Sequence, residues 1–576
     1  MNNIVFGRNR VRQRSANIAL GESDFEKIIV NKKLYVDKTY LIVDLIDYGW
    51  STACITRPRR FGKSLNISML KYFFEDLRDE KGNRLDSKAD LFKGLYVEST
   101  ELFDEHQGKY PVICLNFSNS QGDTWEECLL SIKRSISSEI TRHEYAFQDS
   151  NYLGDFKRFT DITDKEKSLW TMSLKILSEA LYKYHSSQCV VLIDEYDAIL
   201  NQAYDKGYGN KAREFTKSLL QAVSKDNPSV KMSVVTGCLP LTENSVFTGF
   251  NHVVSCDVTN SLLNDCCGLT EDEVIQLLTK YSLEDYLETV REWYSGYNIG
   301  GKIIYNSWEI FNFIEKKINN SSVALKSYWA TSSENLVLKK FISNLDTFPI
   351  RTLIDLMING ESVTQEIKLN VSYEDLTDNK DYIWTLLLLT GFLTATETDD
   401  EDMYKLFIPN KSVLSCFNSM IAKAVNIRGS QIDFAVTLDN CFTKNDTKGI
   451  EDCINLFLLE YASYHDRVSE NSYHMLILGI LSALNSKYKI YSNKEVGYGR
   501  CDIILETRSN NSNNVIILEF KYQDVNDEDL TKLAEKGYKQ ISEQGYDKLY
   551  SLNNKDMHCF GIAFNKKICT VVNSLS

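Results

Sequence analysis

Short apolar runs recur through the first 240 residues and alternate with segments of helical period. Thr52-Ala53-Cys54-Ile55, residues 110–117, Cys189-Val190-Val191-Leu192-Ile193 and residues 231–237 are such runs. Continuous apolarity over so few residues fits strands covered on both faces, as in a parallel sheet. Between them, Leu65, Met69, Leu70, Phe73 and Phe74 fall on one helical face, and 213–224 reads as a second helix. Upstream, Ser23-Asp24-Phe25 opens a short capped helix, 34–39 reads as a strand ending in a polar turn, and 41–48 reads as a helix. The pattern predicts an α/β domain with a parallel sheet.

The rhythm then changes twice. Residues 265–300 read as a small helical unit, in which Leu269-Thr270 caps an acidic first turn, Glu271-Asp272-Glu273. Residues 296–302 read as a hairpin turn packed by aromatics, with a substrate-gripping loop as the alternative. Residues 307–445 read as mostly helical, interrupted by polar stretches at 374–380 and 396–403, and suit a spacer. Beyond 450 come a helix at 473–485, strands at 487–496, 499–505 and 515–522, an amphipathic helix at 533–541 and a last core strand at 559–564. The expected division is a basic tail at 1–16, an α/β domain at 17–265, a helical lid or spacer at 266–445 and a second α/β domain at 446–576.

The chain has 576 residues, too many for one core. Its net charge of −14 argues against a protein coated in nucleic acid through general charge, although a local basic groove is compatible with it. With only 6 prolines and no Pro/Gly/Ser-rich linker, the domains are expected to abut. The 14 cysteines contain no C-x-x-C pair, which favours reduced, buried thiols in an intracellular protein, cytoplasmic or nuclear. No apolar run reaches the roughly 18 residues of a membrane span; 383–393 reads as a buried helix. Arg8, Arg10, Arg12 and Arg14 read as a frayed basic tail.

Two stretches carry candidate chemistry. The first strand runs into Thr56-Arg57-Pro58-Arg59-Arg60-Phe61-Gly62-Lys63-Ser64 and then a helix. Strand, Gly-Lys-Ser loop and helix is a phosphate-binding arrangement: backbone N–H groups cradle the anion, Lys63 reaches the terminal phosphates and Ser64 ligates Mg²⁺. The position that is usually the loop's first Gly is Arg57. The strand at 189–193 ends in Asp194-Glu195, which places Asp194 to hold the Mg²⁺ shell and Glu195 to orient or deprotonate water. Thr236, ending another strand, is placed to sense a γ-phosphate. Far downstream, Asp502 opens one strand while Glu519 and Lys521 share a face of the next. Two such carboxylates suit a divalent cation that activates water, with Lys521 positioning the nucleophile or offsetting charge. Glu495 is a candidate third carboxylate, and Gln540 is placed to face the site.

Ser23-Asp24-Phe25, Tyr35-Val36-Asp37-Lys38-Thr39, the loop at 56–66, Leu192-Ile193-Asp194-Glu195-Tyr196-Asp197, Thr236-Gly237-Cys238-Leu239 and Trp293-Tyr294-Ser295-Gly296-Tyr297 together resemble the AAA-ATPase-like family fused to a PD-(D/E)XK-type nuclease domain. The Arg-Pro-Arg-Arg-Phe form of the loop is similar to that family's own. The resemblance implies a P-loop NTPase sheet, a helical middle region and a restriction-endonuclease-like C-terminal domain. It implies ATP bound through Arg57, Arg59, Arg60, Phe61, Gly62, Lys63, Ser64, Asp194 and Thr236, with Mg²⁺ on Ser64 and Asp194. It also implies a nuclease metal on Asp502 and Glu519, with Glu495, Asp502, Glu519, Lys521 and Gln540 at the motif positions and Glu195 catalytic in the ATPase. The expected partner is nucleic acid, DNA ahead of RNA, with no membrane; self-association is left open. Where the family usually carries basic residues, this chain has Pro240 and Glu243. That departure keeps a second reading in play: a nucleotide-dependent switch that binds nucleic acid or a protein without cutting.

Overall fold

The computed structural model describes residues 17–148, 152–224, 226–239, 253–320, 326–328, 362–369, 382–400, 402–424, 431–461, 470–485, 487–497, 499–508, 513–523, 529–546, 555–566 and 568–574. Proximity of Cα atoms divides the chain into two units, Met1–Leu336 with Thr364–Val413, and Val337–Val363 with Leu414–Ser576.

The first unit is built on β1 (Thr52–Thr56), β2 (Val112–Asn116), β3 (Cys189–Asp194), β4 (Val230–Gly237) and β5 (Val253–Cys256), in the order β2-β3-β4-β1-β5. Every neighbouring pair is parallel. All residues of β1 and β3 are buried, which is why these strands read as unbroken apolar runs rather than alternating ones. The helices Lys63–Phe74, Trp125–Arg142 and Gly209–Ser224 lie in the connections. The order places β4 between β1 and β3, with Ile55 beside Thr236 and Ile193 beside Val235. The phosphate loop, Asp194 and Thr236 therefore emerge together at the carboxyl edge, where open α/β sheets bind ligands.

The strand expected at 34–39 does not form. That stretch joins no ladder, and its polar residues act as ties instead. Asp37 accepts from the N–H groups of Thr39 and Tyr96 at 2.8 and 2.7 Å, and buried Lys38 meets both oxygens of Glu273 at 2.7 and 2.8 Å.

Downstream, β6 (Leu269–Thr270), β7 (Tyr297–Ile299) and β8 (Lys302–Tyr305) form a small sheet in the order β6-β8-β7. Thr270 and Glu273 form the capping box of the helix Glu271–Lys280, as the sequence implies. Gly300 and Gly301, at φ 49° and 86°, make the hairpin turn. The stretch 307–445 departs from its mostly helical reading, because it contains β9 (Val363–Glu366), β10 (Thr394–Glu397) and β11 (Met403–Phe407) in the order β10-β11-β9. The polar interruption near 396–403 is the turn of the β10–β11 hairpin rather than a gap between helices. The helix Ile383–Leu389 is buried as expected, and among the described residues no helix is long and apolar enough to cross a membrane.

In the second unit, β12 (Tyr488–Val496), β13 (Gly499–Thr507), β14 (Asn514–Tyr522), β15 (Asp556–Asn565) and β16 (Ile568–Val572) pair in chain order. All contacts are antiparallel except β14 with β15. That parallel step needs a crossover, and the helix Leu530–Glu543 provides it. Ile541 of this helix packs over Ile504, Val515 and Ile517. The sequence reading ended the sheet at 564. β16 extends it after a turn in which Lys566 takes φ 52°, a turn unmarked by Gly or Pro. All fourteen cysteines are free thiols, and none is fully exposed.

Candidate functional site

The phosphate loop has two left-handed residues, Arg60 at φ 70° and Gly62 at φ 91°. Gly62 is the N-cap of the helix Lys63–Phe74, so the free N–H groups of the first turn open onto the loop. Lys63 is buried, and its Nζ donates to the carbonyls of Arg57 and Pro58 at 3.0 and 3.1 Å. Burial opposes its charge, yet Cys238, Glu195, Asp197 and Asp194 hold its pKa above the usual lysine value.

Asp194 is the hub opposite. Its Oδ1 accepts from the Thr236 hydroxyl at 2.6 Å, its Oδ2 accepts from the Asn116 amide at 2.7 Å, and Ser64 also hydrogen-bonds to it. Burial pushes its pKa up while the Ser64 and Thr236 hydroxyls pull it down. Ser64 and Asp194, the two residues expected to share a Mg²⁺ shell, are thus in direct contact. Thr236, expected to sense a γ-phosphate, gives its hydroxyl to Asp194. Glu195 takes the left-handed backbone at φ 54°, a strained conformation for a glutamate at the end of a strand.

Asp197 was not among the expected residues. It is buried beside this hub and accepts from the N–H groups of Cys238 and Leu239 at 2.9 and 3.3 Å. Its Oδ1 has no hydrogen-bond partner, and burial, then Glu195, push its pKa up to about 6. The Asp-Glu-x-Asp spacing was the available signal.

Arg57 proves architectural. Its side chain is fully buried, and its guanidinium donates to the carbonyls of Thr56, Cys256, Asp257 and Leu263 at 2.8, 2.5, 3.1 and 2.7 Å. It stitches the loop to the end of β5, so its side chain is engaged by carbonyls of the loop and its neighbours. Phe61 is likewise buried, edge-on to Tyr297 at 5.1 Å. The carbonyls of Arg59, Arg60 and Phe61 accept from Asn306, Ser307 and the Gly268 N–H at 3.4, 3.1 and 2.7 Å. The Arg60 guanidinium lies 4.2 Å from the Trp308 ring centre. Residues 268–308, read as the start of a lid or spacer, therefore brace the phosphate loop itself. Pro240 and Glu243 lie outside the described residues.

In the second unit the β13–β14 ladder runs from Glu506 paired with Val515 to Ile503 paired with Leu518. One residue further on, side chains replace it. The Phe520 N–H donates to Asp502 Oδ2 at 2.8 Å, and the Asp502 N–H points to Glu519 Oε2 at 3.4 Å. Lys521 Nζ lies 3.4 Å from Glu519 Oε1 and donates to the Phe520 carbonyl at 2.8 Å. The Gln540 amide donates to the same Glu519 oxygen. Asp502, Glu519, Lys521 and Gln540 are thus brought together as the sequence implied. Glu519 is buried; desolvation and then the Asp502 charge push its pKa up to about 8, with Lys521 opposing.

Among the described residues, no hydrogen bond or ion pair joins Glu495 to this cluster. It lies exposed on β12, opposite Arg500 across the ladder and so on the same face as Asp502, nearer the β12–β13 turn. Two residues that the sequence reading missed come from the helix Glu470–Leu481 instead. His474 Nδ1 stands 3.6 Å from Asp502 Oδ1, while its Nε2 meets the Ser492 hydroxyl at 3.0 Å. Glu470 accepts from the Tyr522 N–H; partial desolvation raises its pKa, with Lys521 opposing and Asp502 reinforcing. Their i, i+4 spacing puts both on one helical face, a signal hidden when the helix was begun at 473.

The first unit is therefore a phosphate-loop domain with a parallel sheet, and the second has a mixed sheet carrying a nuclease-type carboxylate cluster. Comparison with known proteins agrees: residues 19–247 match the AAA-ATPase-like family, described as predicted AAA-ATPase, and 468–574 match the PD-(D/E)XK nuclease superfamily. The chain carries an AAA-ATPase-like domain followed by a C-terminal PD-(D/E)XK nuclease superfamily domain. It is also 22% identical over 558 residues to a protein of Azotobacter chroococcum mcd 1 described as "Uncharacterized protein in vnfD 5'region", covering 93% of this chain and 94% of that one.

Proposed function

We propose that the N-terminal domain binds and hydrolyses ATP with Mg²⁺, and that its nucleotide state governs phosphodiester cleavage of nucleic acid by the C-terminal domain. The observation that carries the nuclease half is the Asp502–Glu519 pair, in which the Asp502 N–H points to Glu519 Oε2 and Lys521 stands beside Glu519 Oε1. Such a pair calls for a proton or a cation; burial, then the Asp502 charge, push the pKa of Glu519 up to about 8. The residues fit a divalent ion, which Asp502 and Glu519 would hold; when bound it supplies a Lewis acid and lowers the pKa of water. Lys521 keeps its ammonium beside the reacting phosphate, Gln540 fixes the Glu519 carboxylate, and His474 borders Asp502. In the ATPase, Ser64 and Asp194 would hold Mg²⁺, Lys63 would leave its loop carbonyls for phosphate, and Glu195 would orient water. DNA is favoured over RNA as substrate.

The test is a cleavage assay with Mg²⁺ or Mn²⁺ on labelled DNA and RNA, with and without ATP, comparing wild type, Lys63→Ala and Asp502→Ala. Lys63→Ala is expected to bind ATP at least about tenfold more weakly, since a charge-assisted phosphate contact is lost, and to remove any effect of ATP on cleavage. Intact substrates under every condition would sink the nuclease reading. Pro240 and Glu243 favour the second reading, a switch that binds without cutting. ATP binding without turnover, together with nucleic-acid binding without cleavage, would select it.

A pH test follows from Glu519. Below about pH 8 a cation has to displace the proton from this carboxyl group. Apparent Mn²⁺ affinity, measured by calorimetry, is expected to rise with pH from 6 to about 8, by at most about tenfold per unit, and then to level off. A flat profile over that range would contradict the pairing.

A further inference from the structure

Arg500 is a second group on the nuclease face that the chemistry above does not use. It sits on β13 two residues before Asp502, so alternation directs both to one side of the sheet, about 7 Å apart along the strand. Glu495 is its partner across the ladder, yet among the described residues no ion pair joins them. The guanidinium instead folds back along β12, and Nε donates to the carbonyl of Asn493 at 2.7 Å. Asn493 holds the left-handed conformation at φ 51°, a kink in β12 opposite Asp502. One N–H of the fork is thereby anchored, and the four N–H groups on Nη1 and Nη2 have no partner among the described residues.

The backbone carrying Arg500 is also fixed. A Cβ on Gly497 would meet the Gln544 carbonyl at 2.1 Å, and one on Gly499 would meet the Tyr546 hydroxyl at 2.7 Å. The β12–β13 turn is therefore pressed onto the chain just beyond the helix that carries Gln540. The charge balance needs such a group. Asp502, Glu519 and Glu470 would repel a polyanion, and Lys521, shared with Glu519 and the Phe520 carbonyl, serves the reacting phosphate alone.

We propose that Arg500 is a substrate-positioning residue, gripping through its Nη groups a backbone phosphate adjacent to the phosphodiester that lies at Asp502 and Glu519. Planar, two-pronged contact with a phosphate is what a half-anchored guanidinium supplies and a lysine does not. The inference rests on the nuclease reading. Its test is binding of fluorescent single-stranded and duplex oligonucleotides to the full chain in Ca²⁺, by anisotropy from 50 to 200 mM salt. Arg500→Ala is expected to weaken binding about tenfold, the scale of a hydrogen bond to a charged group, and to reduce the slope of log affinity against log salt by about 0.7 to 0.9, one phosphate contact. Arg500→Lys should restore the slope but not the full affinity, and in Mg²⁺ the KM of Arg500→Ala should rise more than its kcat falls. Arg500→Gln, nearer in size, guards against a folding defect, with the melting temperature checked for each variant. Wild-type affinity and slope in both Arg500→Ala and Arg500→Gln would overturn the inference alone. A wild-type chain that binds no oligonucleotide would overturn the nuclease reading and this inference with it.

Discussion

Asp502→Asn is expected to lower the cleavage rate of the full chain by about a hundredfold to a thousandfold, the scale seen when a group that stabilises transition-state charge is removed. Asparagine keeps the size of the side chain and an oxygen that can still accept from the Phe520 N–H, the bond that measures 2.8 Å here. What it loses is the negative charge set against Glu519. With that charge gone, the pKa of Glu519 should fall from about 8 but stay above the ordinary carboxylate value, because burial is the larger cause of its rise. The melting temperature should therefore hold or rise while activity collapses. Glu519→Gln should give a similar loss, and the double variant should be little worse than either, because the two act as one unit. Glu495→Gln is the comparison, since Glu495 is exposed and no hydrogen bond or ion pair ties it to the cluster among the described residues; its cleavage rate should stay within about twofold of wild type. The assignment fails if Asp502→Asn cuts at near wild-type rate, or if Glu495→Gln is as damaged as Asp502→Asn.

Which parts of this arrangement were legible in the chain depended on what each residue packs against. Unbroken apolar runs revealed the parallel sheet, because both faces of β1 and β3 are covered. Asp502, Glu519 and Lys521 could be grouped because strand alternation is rigid and the strands are neighbours in sequence. Glu495 lies on the same face, but alternation does not say which residues of that face will be bonded together, and no bond ties it to the cluster among the described residues. Glu470 and His474 approach from a helix, and no periodicity reports which strand that helix will meet. The expected strand at 34–39 failed because Asp37 and Lys38 found side-chain and backbone partners that a ladder would have denied them. Residues 268–308 looked like a spacer because their partners, the carbonyls of Arg59, Arg60 and Phe61, lie more than two hundred positions away and carry no side-chain signature.

Arg57→Ala is expected to be the most destabilising single change in the first unit, about 3–5 kcal/mol, because buried carbonyls lose their donor and a large cavity opens. Four carbonyls, on Thr56, Cys256, Asp257 and Leu263, accept from this one guanidinium, and none has water to turn to at so buried a position. An alanine leaves them facing a cavity the size of an arginine side chain. Arg57→Lys should recover little, because a single ammonium has three donors in a tetrahedral array, whereas these carbonyls fit a planar fork. The measurement is thermal and urea unfolding of the full chain, with ATP binding in parallel. Both variants should lower the first transition and weaken ATP binding through a loosened loop, while Arg60→Ala, at the exposed tip over Trp308, should move the transition far less. If Arg57 instead contacted the nucleotide through its side chain, Arg57→Ala would spare stability and cost affinity alone. That split decides whether the arginine at the usual glycine position serves the phosphate or, as the four carbonyls imply, the loop that holds it.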